Sequence, residues 1–164
     1  MIRAITTFGF VGLLKPAPGT WGSAAGLALG IALHWLAGFP LLAVTTLAVT
    51  LLGFWACAQA LKDRPGDDPG EIVVDEVAGI LLAYCIPALA FFGRGNAPDL
   101  LPWPAPLATF LLFRLFDIWK PWLVGRADRR GDVRGVMEDD LWAGLFAGIG
   151  TIVLGFLYHV VFVF

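Results

Sequence analysis

The stretch LLAVTTLAVTLLGFWACAQAL, Leu41 to Leu61, carries no charge and is rich in Leu, Ala, Val and Thr. A hydrocarbon core about 30 Å thick needs roughly 20 apolar residues in a helix, so this run is long enough to span a membrane. On its N-terminal side, Gly38 and Pro40 turn the chain. Before that turn, an apolar helix from Ser23 to about Leu36 has Ser23 available as its N-cap. It is under-length for a span, which leaves a re-entrant or an oblique course open. Residues 1 to 22, including GFVGLLKPAPGTWG, read as a shaped loop, because Pro16, Pro18, Gly19 and Gly22 oppose a continuous helix.

On the C-terminal side, KDRPGDDPG (Lys62 to Gly70) is a polar turn-rich loop. Glu71 to Glu76 then lead into the apolar run Val77 to Phe92, so the acids open a helix. Gly93 to Pro106 reads as a connecting loop, Leu107 to Trp122 as a helix carrying charges, and Arg126 to Arg134 as a basic loop ending in Glu138-Asp139-Asp140. Leu141 to Phe164 is a last apolar run of spanning length. No internal repeat or low-complexity segment stands out.

Composition agrees with this threading. Of 164 residues, 59% are hydrophobic and 15% charged, with a mean hydropathy of +0.80; soluble globular chains carry about 25% charged residues. The expectation is an all-α integral membrane protein in which residues 1–164 form one domain. A formal net charge of -2 gives no basic field for nucleic acid. Cys57 and Cys85 lie inside apolar runs without metal-type spacing and read as small buried hydrophobes. The N-terminus shows no cleavage pattern of a removable signal peptide. If the five runs alternate across the membrane, one side receives Arg3, Lys15, Lys62, Arg64, Lys120, Arg126, Arg129, Arg130 and Arg134, and the other Arg94 alone. Positive loops stay in the cytoplasm, and the same threading sends Asp75-Glu76, Asp139-Asp140 and the end of the 114-to-120 segment to that face.

Charges in such apolar surroundings are costly and need a function or a partner. Adjacent acids at a helix start have an ordinary role, since they cap N–H groups and suit the positive end of the helix dipole. Two acid pairs plus Arg114 and Asp117 on one face fit a hard cation better, because Mg2+ takes oxygen ligands and shares its shell with substrate phosphate. Arg114, Asp117 and Lys120, spaced three apart, share roughly a third of a helix circumference. They read either as an internal ion pair with a snorkelling lysine or as phosphate-binding cations oriented by the acid. Pro18 to Ser23 offers backbone N–H groups and two hydroxyls, from Thr20 and Ser23, at a helix N-terminus, without the spacing of a nucleotide P-loop. His34 and His159 fall away from this face and read as structural. No D-x-D-x-T pattern occurs. Trp119 and Trp122 beside Lys120 suit an interfacial belt.

Four motifs in order, GLLKPAPGTWGS (Gly12 to Ser23), VVDEVAG (Val73 to Gly79), FRLFDIWKPW (Phe113 to Trp122) and MEDDLWAG (Met137 to Gly144), closely resemble the bacterial phosphatidylglycerophosphatase A family. The resemblance implies a helical membrane bundle with a central helix surrounded by others. It also implies a Mg2+-dependent lipid phosphatase of the cytoplasmic (inner) membrane, converting phosphatidylglycerophosphate to phosphatidylglycerol. Carried onto matching positions, the catalytic residues are Asp75, Glu76, Arg114, Asp117, Lys120, Asp139 and Asp140. Asp75, Glu76, Asp139 and Asp140 are the metal ligands, and Lys15, Thr20 and Ser23 join Arg114 and Lys120 at the substrate. A carboxylate, Asp139 or Asp75, takes the proton of the attacking water, with a covalent aspartyl-phosphate as the alternative course. A non-enzymatic ion pathway or lipid binder would instead spread acids through the depth of the bilayer. A phosphatase for another lipid monoester, such as phosphatidic acid, keeps the same chemistry.

The cation asymmetry sets a testable topology. In a background lacking Cys57 and Cys85, Asp67→Cys and Arg130→Cys are expected to resist an impermeant maleimide in intact cells, and Asn96→Cys to react. The reverse pattern would invert the chain.

Overall fold

The protein is described here by a computed structural model, which defines residues 1–63, 69–92 and 100–162. Arg64, Asp67, Arg94, Asn96 and Asp99 lie outside the described residues. Every regular element among the described residues is helical: α1 (Ile2–Thr6), a 3-10 turn (Val11–Leu13), α2 (Pro18–Ala60), α3 (Val74–Phe91), α4 (Ala105–Trp119), α5 (Leu123–Asp128) and α6 (Val133–Phe162). Of these, α2, α3 and α6 are long and apolar enough to cross a membrane.

Helix α2 is broken in its middle. Ala37 and Gly38 leave helical geometry, and Gly38 has φ 72° and ψ -168°, a backbone state suited to glycine. Pro40 follows and has no N–H to continue the ladder. Beyond the break the chain folds back: a Cβ added to Gly30 would stand 3.6 Å from Leu42 Cδ1, although twelve positions along a straight helix would separate them by about 18 Å. The sequence placed its turn at this break, so the element is a hairpin of two arms.

The core is built around α3, whose Val77, Ala78, Ile80, Leu81 and Ala83 are fully buried. The first arm of α2 runs parallel to it through glycines four apart: Gly22 meets Val73, Gly26 meets Val77 and Ile80, and Gly30 meets Leu81 and Tyr84. The second arm runs antiparallel, with Thr46 Oγ1 3.2 Å from Cys85 Sγ and Gly53 against Met137 and Val74. Helix α6 runs parallel to α3 at backbone contact: a Cβ on Gly144 would stand 2.2 Å from the Gly79 carbonyl oxygen, and one on Gly148 2.7 Å from Ile86. Helix α4 closes the ring antiparallel to α6, where the hydroxyls of Thr109 and Thr151 lie 3.1 Å apart. Lipid is as apolar as leucine, so such helices associate by close packing and interhelical hydrogen bonds rather than by a hydrophobic drive. His34 is buried with Nδ1 3.4 Å from Tyr84 Oη, in the structural role expected of it.

The structure departs from the sequence reading in several places: the entry segment read as a loop over residues 1–22 contains α1 and the 3-10 turn, α5 enters the segment read as a basic loop, α4 starts at Ala105 rather than Leu107, and three further boundaries shift. Helix α2 begins at Pro18, since proline at the first helical position sacrifices an N–H that has no partner there; Ser23 sits a turn inside and is not the cap. Helix α4 ends at Trp119 rather than Trp122, because Lys120 adopts φ 50° and Pro121 cannot continue the helix. Helix α6 begins at Val133, eight residues before the apolar run. Asp132 Oδ1 accepts the Gly135 N–H at 2.7 Å, and that bond first, then Arg130, holds the Asp132 carboxyl below its usual pKa. The pair Asp139-Asp140 therefore lies within α6, past its first turn, where helix capping has no place.

Gly144→Leu should force α6 off α3, a misfit that costs about 1–3 kcal/mol for an overpacked core, and should lower the melting temperature in detergent. Gly155→Leu, on the same helix with nothing within 4 Å, is the control expected to melt like the parent. Equal melting of both variants would remove the glycine contact as the determinant of α3–α6 packing.

Candidate metal and phosphate site

Four polar ends meet on one side of the bundle: the starts of α2 and α3, the end of α4 and the first turns of α6. Asp75 and Glu76 open α3, where Asp75 Oδ1 accepts the Glu76 N–H at 3.0 Å. Asp140 is brought to them because Gly79 has no side chain; a Cβ there would stand 2.6 Å from the Asp140 carbonyl oxygen. Carboxylate oxygens of Asp75, Glu76 and Asp140 lie within 4.8 Å of one another. Asp75 and Asp140 are buried at 6% and 4% exposure, so water does little to screen their repulsion.

These acids border a cavity of about 210 Å³ that Asp117, Lys120, Asp128 and Asp139 also line. Burial opposes the charge on Lys120, but its bonds to Asp128 and Asp139 outweigh that and hold the ammonium above the usual lysine pKa. Its Nζ lies 3.0 Å from Asp139 Oδ2 and bonds Asp128 as well. Arg114 stands behind the cavity lining. It pairs with Asp117 at 2.5 Å and donates to Ser23 Oγ at 3.3 Å, while that hydroxyl donates to the Gly19 carbonyl oxygen at 2.7 Å. A Cβ at position 19 would come within 2.2 Å of Glu76 Oε1 and 3.4 Å of Arg114 Nη1, so glycine there leaves the Glu76 carboxylate its place.

The sequence-derived set is thus divided. Asp75, Glu76 and Asp140 form one cluster, Asp139 and Lys120 an ion pair beside it, and Arg114, Asp117 and Ser23 a second polar unit. Thr20 is half-buried in the first turn of α2, and Lys15 is exposed ahead of it; neither is among the described cavity-lining residues. Asp128 is the residue that sequence reasoning missed. It was counted as part of a basic loop, and only the fold of α5 returns it to Lys120.

The cluster fits a divalent cation. Among the described residues, Glu76 Oε2 and Asp140 Oδ1 are buried without a hydrogen-bond partner, and buried polar atoms are normally satisfied. Oxygen-only donors of this kind match a hard ion such as Mg2+. Six carboxylates line the cavity against one lysine, so an anionic ligand is attracted only if positive charge is added.

Comparison with known proteins gives a consistent answer. A family model described as phosphatidylglycerophosphatase A matches residues 4–155. The chain is 38% identical over 140 residues to the phosphatidylglycerophosphatase A of Haemophilus influenzae, covering 84% of this chain and 78% of that protein. It is 32% identical over 141 residues to that of Escherichia coli, covering 84% and 74% respectively. A putative phosphatidylinositol-3-phosphatase of Bacteroides thetaiotaomicron is 39% identical over 138 residues, covering 81% of this chain and 80% of that protein. No solved structure matches this one.

Asp75→Asn, Glu76→Gln and Asp140→Asn are each expected to weaken Mg2+ or Mn2+ binding by about tenfold or more, as loss of an oxygen ligand should. Their melting temperatures should hold or rise, because a buried like charge is removed. Titration calorimetry in detergent reads the first and thermal melting the second; parental affinity in all three variants would leave the cluster without a metal.

Proposed function

The chain belongs to the phosphatidylglycerophosphatase A family, and from that premise we propose that it hydrolyses the terminal phosphomonoester of phosphatidylglycerophosphate. Water oxygen attacks phosphorus, the bond from phosphorus to the glycerol oxygen breaks, and the leaving oxygen takes a proton, giving phosphatidylglycerol and inorganic phosphate. The observation that carries this reading is the polar cavity at one end of an apolar helical bundle, with three clustered carboxylates beside a lysine.

In this proposal Asp75, Glu76 and Asp140 hold Mg2+, with Asp139 at the edge of the set. When bound, the ion supplies a Lewis acid that polarises the phosphoryl oxygens and makes water more acidic. Lys120 and Arg114 neutralise charge on the phosphoryl oxygens, Arg114 with its guanidinium aligned by Asp117 and Ser23. Asp139 or Asp75 accepts the proton of the attacking water. Lys15 and Thr20, outside the described cavity lining, are assigned to the incoming headgroup. The whole chain acts as one membrane domain.

The location proposed is the cytoplasmic face of a bacterial inner membrane. Exposed Trp119 and Trp122 flank Lys120, as side chains at the headgroup level do. In the alternating threading of the five runs, Arg3, Lys15, Lys62, Lys120, Arg126, Arg129, Arg130 and Arg134 share the side that carries Asp75-Glu76 and Asp139-Asp140, which supports this orientation. Acyl chains stay in the bilayer and hold the headgroup at the cavity, so the lipid part of the substrate contributes binding energy.

Phosphate release should be measured from phosphatidylglycerophosphate, phosphatidic acid, a phosphatidylinositol 3-phosphate and glycerol 3-phosphate in matched micelles. The expected order places phosphatidylglycerophosphate first and the soluble monoester last, with activity lost in chelator. Preference for the inositol lipid would move the substrate toward the activity named for the Bacteroides relative. Equal turnover of glycerol 3-phosphate would defeat the lipid-enzyme reading.

A further inference from the structure

The turn after α4 contains two non-glycine residues at positive φ. Lys120 has φ 50° and Trp122 φ 45° with ψ -108°, conformations that are strained for a residue with a Cβ. The strain reverses the chain within three residues and starts α5 against the turn itself. Gly125 completes the fit: a Cβ there would stand 2.4 Å from the Lys120 carbonyl oxygen. The result is that Asp128, at the end of α5, returns to the ammonium group of the residue that began the turn.

We propose that Asp128 is a positioning residue for phosphate binding, fixing the Lys120 ammonium so that its remaining N–H is directed at a phosphoryl oxygen. This rests on the proposed phosphatase reading. An ammonium has three donors. Asp139 takes one at 3.0 Å from α6, and Asp128 takes a second from α5. Two acceptors on separate helices define the rotation of the group, and the third donor is left for a ligand. Without Asp128 the ammonium swings on a flexible stem about its single anchor, Asp139. A contribution to stability does not explain the contact. The Asp128 side chain is 40% exposed and Lys120 31%, and ion pairs so accessible to water contribute little to stability.

The probe is inorganic phosphate, titrated calorimetrically into the detergent-solubilised protein in magnesium-containing buffer, alongside kcat and KM for phosphatidylglycerophosphate. Asp128→Asn should weaken phosphate binding and raise KM by about tenfold, the scale of a charge-assisted hydrogen bond, with kcat changed by less than about threefold and the melting temperature unchanged. Asp128→Glu should recover most of the phosphate affinity. In a Lys120→Met background, Asp128→Asn should weaken phosphate binding no further. Parental phosphate affinity in folded Asp128→Asn would overturn the proposal, as would an additional loss in the Lys120→Met background. A parent that binds phosphate but does not turn over phosphatidylglycerophosphate would instead refute the substrate assignment and leave the positioning role standing.

Discussion

Contact between the backbones of α3 and α6 at Gly79 and Gly144 is the constraint on which the site depends. A methyl group on Gly144 would overlap the carbonyl oxygen of Gly79, and one on Gly79 would overlap that of Asp140. The helices therefore meet at a distance that only glycine permits, close to where the acids emerge. Asp75 and Glu76 stand one turn before Gly79, and Asp140 one turn before Gly144. In a bilayer, where apolar surface gains nothing by leaving lipid for protein, close approach is itself the source of attraction. Packing and function thus share one cause: the residues that let the helices associate also set the distance between carboxylates.

That distance creates an electrostatic problem which the rest of the site divides in two. The two cations already have anionic partners, Arg114 with Asp117 and Lys120 with Asp128 and Asp139. The remaining acids, Asp75, Glu76 and Asp140, have each other. With the cations paired in this way, the carboxylate cluster keeps buried oxygens, Glu76 Oε2 and Asp140 Oδ1, that could take a metal ion. The exposed edge of the arrangement is at Lys120, and its interior is at Asp140. Under the proposed function, a phosphate entering at that edge meets positive charge first and the acidic interior only behind it.

Much of this was legible in the chain because membrane-length apolar runs and misplaced charges are strong local signals. The uncharged stretch from Leu41 to Leu61, the break at Gly38 and the acids opening α3 all follow from residue type and position. The start of α6 did not, because residues 133–140 are polar on average and their helix is decided by one cap, Asp132 on the Gly135 N–H. The end of α4 was misplaced although Pro121 marks it: the apolar run continues through Trp122 and masks the stop, while the backbone turns at a strained Lys120. Asp128 was hidden altogether. Its partner lies eight residues away across a turn, so no helical or strand periodicity connects them.

The revised start of α6 also changes what Asp139 and Asp140 mean. At a helix mouth, paired acids are explained by the dipole and by unpaired N–H groups, and they carry no functional information. Inside the helix that explanation is gone, because the unpaired first-turn N–H groups lie before the pair; the local contact is the Asp140 N–H, 3.0 Å from Asp139 Oδ1. Successive residues on a helix point about 100° apart, and the two carboxylates divide accordingly, Asp140 toward Asp75 and Glu76, Asp139 toward Lys120. One dipeptide on α6 thereby joins the carboxylate cluster to the Lys120 ammonium, so that a single helix fixes both at once.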